Sequence, residues 1–266
     1  PNTDFIDIRV LARAGDLEVG SANELLQNQA EVSFQNASGT TFSDTDDENL
    51  RLIEPNVALD KIASPAIVDA GGDVSYSVSI TNPAQSRDAP AFDLTLSDTL
   101  DPELTLDTAS ITLMLNGVTQ TFDGTNFALT TNVGGNANAF EIFINQLDQD
   151  DVVLIQYDAT VDPGVSASRT ISNTADLVFD STPEDDSASD GDDREYSLSD
   201  TESVTTRAPE LDKSIVPGSS SFDGTSGTEL GIGELVTYEF VLVVPEGTVD
   251  DVVLTDTLPT GLEYVS

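Results

Sequence analysis

Apolar and polar residues alternate with a period of two along much of this chain, and the alternating segments recur in the same order further on. Val74, Tyr76, Val78 and Ile80 are separated by serines; Val236, Tyr238, Phe240 and Leu242 repeat the pattern. Asn116-Gly117 lies between Ile111–Leu115 and Val118–Phe122 and suits the positive φ angles of a type I′ hairpin turn. Further strands are expected near 138–144, 152–160 and 170–179, and no stretch carries a helical period. Alternation turns one side of each strand inward. Many short strands punctuated by Gly, Pro, Asn and Asp bury those sides by packing sheet on sheet. The expected class is all-β, in antiparallel sandwiches of immunoglobulin-like type.

The recurrence has a period of about 150 residues, the mark of a tandem array. Segment 57–100 returns as 211–258: Leu96-Ser97-Asp98-Thr99-Leu100 becomes Leu254-Thr255-Asp256-Thr257-Leu258. Segment 23–34 returns as 168–179, with Asn28-Gln29-Ala30 matched by Asn173-Thr174-Ala175. The parse is therefore the C-terminal part of one repeat (1–56), a complete repeat (57–207) and the N-terminal part of the next (208–266). The chain opens in mid-pattern at Pro1-Asn2-Thr3 and reads as a piece of something longer. Residues 180–200 are mostly Asp, Glu, Ser and Gly and read as a solvated loop near the repeat junction; Asp44–Glu48 is a shorter counterpart.

Of 266 residues, 49 are acidic and 9 basic, a formal net charge of −40. Such a charge repels nucleic acid and anionic membrane. It suits a saline, extracellular setting where screening shortens self-repulsion. There is no cysteine, hence no disulfide and no thiolate metal site. There is no histidine, which removes the commonest general base and metal ligand. No apolar run approaches the roughly 18 residues of a membrane span.

Lysine occurs twice, as Lys61 and Lys213, each time after Leu-Asp at the same place in the repeat. Parity points both inward, Lys61 with Val57 and Leu59, Lys213 with Leu211 and Ile215. Asp98 shares parity with Leu94, Leu96 and Leu100; Asp256 shares it with Val252, Leu254 and Leu258. Asn173 goes with Ile171, Ala175 and Leu177; Asn28 goes with Leu26, Ala30 and Val32. A complete repeat thus carries an early Lys, a middle Asp and a late Asn on inward faces. Burial strips a lysine of its proton and keeps one on an aspartic acid. A neutral amine beside an asparagine carbonyl polarised by such an acid forms a Lys–Asn isopeptide bond and releases ammonia. That is a single-turnover self-modification, not enzyme turnover. The residues alone also allow a plain buried Lys61–Asp98 salt bridge, or Asp98 as a turn residue before Asp101-Pro102 with Asn173 serving strand-edge backbone.

The succession Leu-Asp-Lys, Val-Ser-Tyr-Ser-Val, Ser-Asp-Thr-Leu and Ser-Asn-Thr-Ala resembles conserved-repeat domains of large prokaryotic surface proteins. It also resembles the isopeptide-forming domains of fimbrial shafts. Thr255-Asp256-Thr257-Leu258-Pro259-Thr260-Gly261-Leu262 is especially similar to the family string. The resemblance implies a surface stalk, adhesin or filament whose partners are neighbouring copies or repeats. It makes Lys61 the bonding amine, Asp98 the catalytic acid and Asn173 the bonding amide. Lys213 and Asp256 belong by the same match to the following repeat, and Asn28 to the preceding one.

No cofactor is expected. Asp44, Asp46, Asp47 and Glu48, or Asp190, Asp192, Asp193 and Glu195, are the places where calcium could bind, although neither run has an EF-hand pattern. A ligand-binding adhesin with a non-covalent Lys–Asp–Asn core is the alternative function. It finds thin support in a chain with no tryptophan and five tyrosines. A glycosidase would need a distinct carboxylate pair, and nothing singles one out among the acids.

Overall fold

The computed structural model describes residues 6–12, 25–83, 89–183, 195–217 and 229–265. In chain order its strands are β1 (Leu25–Gln35), β2 (Thr41–Arg51), β3 (Ala58–Ser64), β4 (Ile67–Val68), β5 (Asp73–Thr81), β6 (Ala91–Thr99), β7 (Leu104–Leu115), β8 (Val118–Thr119), β9 (Phe127–Thr131), β10 (Ala139–Leu147), β11 (Val152–Val161), β12 (Thr170–Asp180), β13 (Glu195–Thr206), β14 (Glu210–Ile215) and β15 (Tyr238–Val243).

Strands β3 to β13 form two sheets, ordered β3-β5-β11-β7-β8 and β4-β13-β12-β6-β10-β9. With β3, β5, β6, β7, β11, β12 and β13 taken as A to G, the first sheet contains A-B-E-D and the second contains G-F-C. That is the division of an immunoglobulin sandwich, with the β9–β10 hairpin added beside strand C. Every named pairing is antiparallel except β4 with β13. The expected alternation is realised: Val74, Tyr76, Val78 and Ile80 of β5 are buried and meet Leu94, Leu96, Ile142, Ile155, Ile171 and Leu177 in one core. Asn116 and Gly117 have φ of 51° and 77°, as a type I′ turn requires, but only Val118–Thr119 pairs beyond it.

Two stretches expected in loops are strands, while residues 184–194 of the expected loop 180–200 lie outside the described residues. Glu195–Asp200 begins β13, because Tyr196 and Leu198 alternate inward and pack on the core. On the outward side, hydroxyl pairs Thr170–Thr205, Ser172–Ser203 and Thr174–Thr201 cross from β12 at 3.3, 2.9 and 2.7 Å. Asp44–Glu48 likewise lies within β2, paired to β1.

The internal repetition reappears as register. In β12–β13, Asn173 faces Glu202, Ala175 faces Asp200 and Phe179 faces Tyr196. In β1–β2, Asn28 faces Glu48, Ala30 faces Asp46 and Phe34 faces Phe42. Both hairpins stack their aromatic pair, at 5.0 and 5.3 Å between ring centroids. Lys61 faces Val78 in β3–β5, and Lys213 faces Phe240 in β14–β15, with the tyrosines Tyr76 and Tyr238 two residues along.

Two glycines separate backbone strain from lack of space. At Gly117 an added Cβ meets nothing within 4 Å, so Gly117→Ala should cost only its left-handed conformation, about 1–2 kcal/mol. At Gly72 the Cβ would lie 2.8 Å from Val68 Cγ2 and 2.9 Å from Asp69 O. Gly72→Ala should therefore destabilise more than Gly117→Ala in urea titrations; the reverse order would contradict this packing.

Candidate functional site

Three polar side chains with 1 % exposure each lie inside the sandwich: Lys61, Asp98 and Asn173. Lys61 comes from β3 in one sheet. Asp98 on β6 and Asn173 on β12 come from the other, where Asp98 is opposite Ala175 and hence next to Asn173 on the same face. β6 continues through Thr99, so Asp98 is a strand residue and does not cap a turn.

Lys61 Nζ donates to Asp98 Oδ2 at 2.6 Å. The Tyr157 hydroxyl, from β11, donates to the same oxygen. Asn173 Nδ2 donates to the Tyr157 hydroxyl at 3.0 Å. A continuous hydrogen-bonded line therefore runs from amine to acid to phenol to amide. The aromatic wall is Tyr76 stacked on Tyr157, with centroids 5.2 Å apart and Phe140 edge-on to Tyr157. The amine lies 5.2 Å from the Tyr76 ring centroid. Asp98 Oδ1 and Asn173 Oδ1 have no hydrogen-bond partner. Both hydrogen bonds to the Asp98 side chain fall on Oδ2, and a buried acceptor left unpaired is costly.

The electrostatics favour a proton on Asp98. Burial pushes the Asp98 carboxyl up, opposed chiefly by the charge and hydrogen bond of Lys61 and then by Tyr157 and Asn173. Burial draws the Lys61 amine down, opposed by Asp98 and, more weakly, Asp200 and Asp176. Both shifts move the pair toward neutral amine and neutral acid. The Tyr157 hydroxyl is pushed up by burial and the Asp98 charge, so it stays protonated. The arrangement is a buried amine paired to a buried carboxyl group, with a phenol linking that carboxyl to a carboxamide.

Sequence parity located Lys61, Asp98 and Asn173, and the structure brings them together. It missed Tyr157 and Asp200. Tyr157 shares parity with Val153, Ile155 and Ala159, and a phenol on an inward face needs a partner for its hydroxyl. Asp200 Oδ2 accepts the Lys61 backbone N–H at 2.7 Å, joining edge strand β3 to β13 in the opposite sheet. The repeated Asp46 and Asp200, each opposite an alanine two residues from the asparagine, was the available signal.

The counterparts depart from the inward expectation. Asn28 is exposed, as are most side chains of β1 and β2, because these strands pair only with each other among the described residues. Lys213 Nζ meets Asp256 Oδ1 at 2.6 Å, repeating the Lys61–Asp98 contact, but the side chains are 38 % and 30 % exposed. β14 and β15 likewise pair only with each other among the described residues, and Val252–Leu258 joins no ladder there. The calcium expectation fares differently at its two places. Asp44, Asp46 and Glu48 are spread along one face of a strand and Asp47 lies on the other, accepting from Gln27 at 2.8 Å. Asp190, Asp192 and Asp193 lie outside the described residues, and Glu195 opens β13 opposite Asp180. Among the described residues no group of three acids is placed to hold a metal.

No protein-family model matches the chain, and comparison with curated proteins finds no relative. Solved structures with partial similarity include the C-terminal fragment of the major pilin GBS80 of Streptococcus agalactiae, at 14 % identity and a TM-score of 0.45, covering 59 % of this chain and 57 % of that one. The major pilin subunit BcpA of Bacillus cereus is similar at 13 % identity and a TM-score of 0.43, with 69 % and 49 % covered. The full-length pilus protein RrgB of Streptococcus pneumoniae gives 17 % and 0.41, with 52 % and 24 % covered. The chain thus spans about half the length of the first two and a quarter of the third. At this similarity no residue role passes from those proteins to this one.

Asp200 offers a direct test of the edge. Asp200→Ala leaves a part-buried N–H of Lys61 without its acceptor and should cost about 1–3 kcal/mol in chemical denaturation. Asp200→Asn, which keeps an acceptor, should recover much of the loss; equal losses would remove the hydrogen bond as the reason.

Proposed function

We propose that this chain is a structural segment of an extracellular stalk or filament, built of tandem sandwich repeats with boundaries near 56 and 207. The complete repeat is closed by an isopeptide bond between Lys61 and Asn173. One observation carries this reading: an amine, a carboxylic acid and a carboxamide share a water-free core, with burial favouring the neutral forms that amide exchange requires.

The chemistry balances without a cofactor. Lys61 Nζ attacks Asn173 Cγ while the Asp98 proton stabilises the developing oxyanion. The Nζ–Cγ bond forms, and the Cγ–Nδ2 bond breaks. The leaving nitrogen must gain one proton and the amine must lose one, so Asp98 takes a proton from the amine as it gives up its own. Tyr157 bridges Asp98 to that nitrogen; once the tetrahedral intermediate gives Nδ2 a free lone pair, both hydrogen bonds reverse, the hydroxyl hands its proton to Nδ2 and is refilled from Asp98. Ammonia leaves. The phenol need not ionise, because it gives and takes a proton together.

The mechanical consequence follows from topology. β3 is the first strand of its sheet and β12 the penultimate long strand of the other. A covalent tie between them encloses most of the sandwich and limits the unfolded ensemble as a disulfide does. Load entering at β3 passes across the tie to β12 and need not peel the strands between. Neighbouring repeats or copies of the same protein are the partners.

The intact mass of recombinant protein should fall short of its sequence mass by one ammonia for the complete repeat, and peptide mapping should join Lys61 to Asn173. An unmodified mass would leave only the non-covalent cluster. Asp98→Ala should abolish the bond and lower stability by about 2–5 kcal/mol, as loss of a disulfide does. A cross-linked Asp98→Ala protein would remove Asp98 from the chemistry.

Tyr157→Phe separates the relay from the bond itself. The substitution keeps the ring stack and deletes the hydroxyl. Bond formation followed by mass after refolding should slow by about 100-fold, the lower range for a lost acid–base group. An unchanged rate would discard the relay while leaving the isopeptide bond intact.

A further inference from the structure

Strand β13 ends at Thr206 and β14 begins at Glu210, so Arg207, Ala208 and Pro209 are the whole connection between the sandwich and the following unit. Arg207 is held at both ends. Its backbone N–H donates to Val68 O at 2.9 Å, and its guanidinium meets Asp69 at 2.9 Å. A second attachment lies far along the chain. Thr248, in the loop after β15, pairs in parallel with Ser166 in the loop between β11 and β12. Thr248 N–H donates to Val165 O at 3.1 Å, and Ala167 N–H donates to Thr248 O at 3.0 Å. The Thr248 hydroxyl donates to Gly164 O at 3.0 Å.

Gly247 makes this approach possible. Its φ is +105°, and a Cβ there would lie 2.4 Å from Val165 O and 2.9 Å from Ala70 Cβ. Those atoms are backbone and a buried residue; Ala70 is 1 % and Val165 5 % exposed. They cannot withdraw without disturbing the end of the sandwich. The same loop position is used earlier in the chain. When Asp98 is set on Asp256, Ala89 stands at the place of Gly247, and Ala89 N–H donates to the carbonyl of Glu54, just before β3, at 3.0 Å.

We infer that successive repeats are clasped at a fixed angle: the loop 246–248 of one repeat is an interaction surface whose partner is loop 164–167 of the repeat before it. A three-residue proline-containing link alone would leave the units free to swing, the ordinary expectation for domains sharing little interface. Two attachments on different segments remove that swing. All three groups that loop 164–167 contributes to the clasp are backbone groups, so that side of the joint tolerates side-chain change, whereas Gly247 does not.

The absence of cysteine lets spin labels be placed cleanly. A pair at Thr112→Cys and Glu239→Cys reports across the joint. A pair at Asp212→Cys and Glu239→Cys reports within the second unit. In the full chain both pairs should give narrow distance distributions by electron-spin dipolar spectroscopy. Gly247→Val should broaden the first pair several-fold and leave the second unchanged, while Glu263→Ala, at an exposed residue outside the loop, changes neither. A broad first pair without substitution overturns the clasp, and so does a first pair that stays narrow in Gly247→Val. Should Gly247→Val broaden both pairs, Thr248→Pro, which deletes the N–H donated to Val165, is judged by the same criterion.

Discussion

Desolvation of one amine and one carboxyl is the constraint around which the sandwich is arranged. Among the described residues of a chain so rich in acid, the buried charged types are Lys61, Asp98 and Glu234. Glu234 sits at a turn, where it accepts the Gly231 N–H at 2.7 Å. Lys61 and Asp98 have no such local reason for burial. Taking two ions out of water costs several kcal/mol each, and mutual attraction repays it only with good geometry and satisfied remaining atoms. Here the remaining atoms are not satisfied: Asp98 Oδ1 and Asn173 Oδ1 are left over. Burial moves both groups of the pair toward their neutral forms, which lowers the cost of keeping them out of water.

The two sheets are tied at the same side by two different devices. Inside, the Lys61 side chain crosses to Asp98. At the rim, the Lys61 backbone crosses to Asp200. One residue therefore bonds both β6 and β13 of the opposite sheet, which fixes where β3 lies along it. The outward hydroxyl ladder between β12 and β13 holds the asparagine-bearing strand to its neighbour without adding charge to an already acidic surface. The clasp at Thr248 continues this economy, joining one unit to the next through backbone groups.

What parity could reveal, it revealed well. Asp98 and Asn173 are polar letters in apolar registers, and a strand one residue out of register would have put both in water. Recurrence of Leu-Asp-Lys, and of Asn28-Gln29-Ala30 as Asn173-Thr174-Ala175, identified equivalent places along the chain. Acidic composition misled where β2 and Glu195–Asp200 were concerned. A strand at a sheet's margin needs only one apolar residue in two, and Tyr196 and Leu198 were enough.

The sequence by itself determined the all-β class, the inward set and the repeated lysine, aspartate and asparagine, because a period of two is a local property that needs no knowledge of neighbours. Only the tertiary structure decided which inward residues meet. Tyr157 is brought between Asp98 and Asn173 by a strand of the other sheet, and Asp200 reaches Lys61 across the open side of the sandwich. Exposure was decided there too. Lys61 and Lys213 stand in equivalent registers with equivalent aspartates, yet one is sealed and the other partly wet, since burial depends on a second layer that strand pattern does not contain.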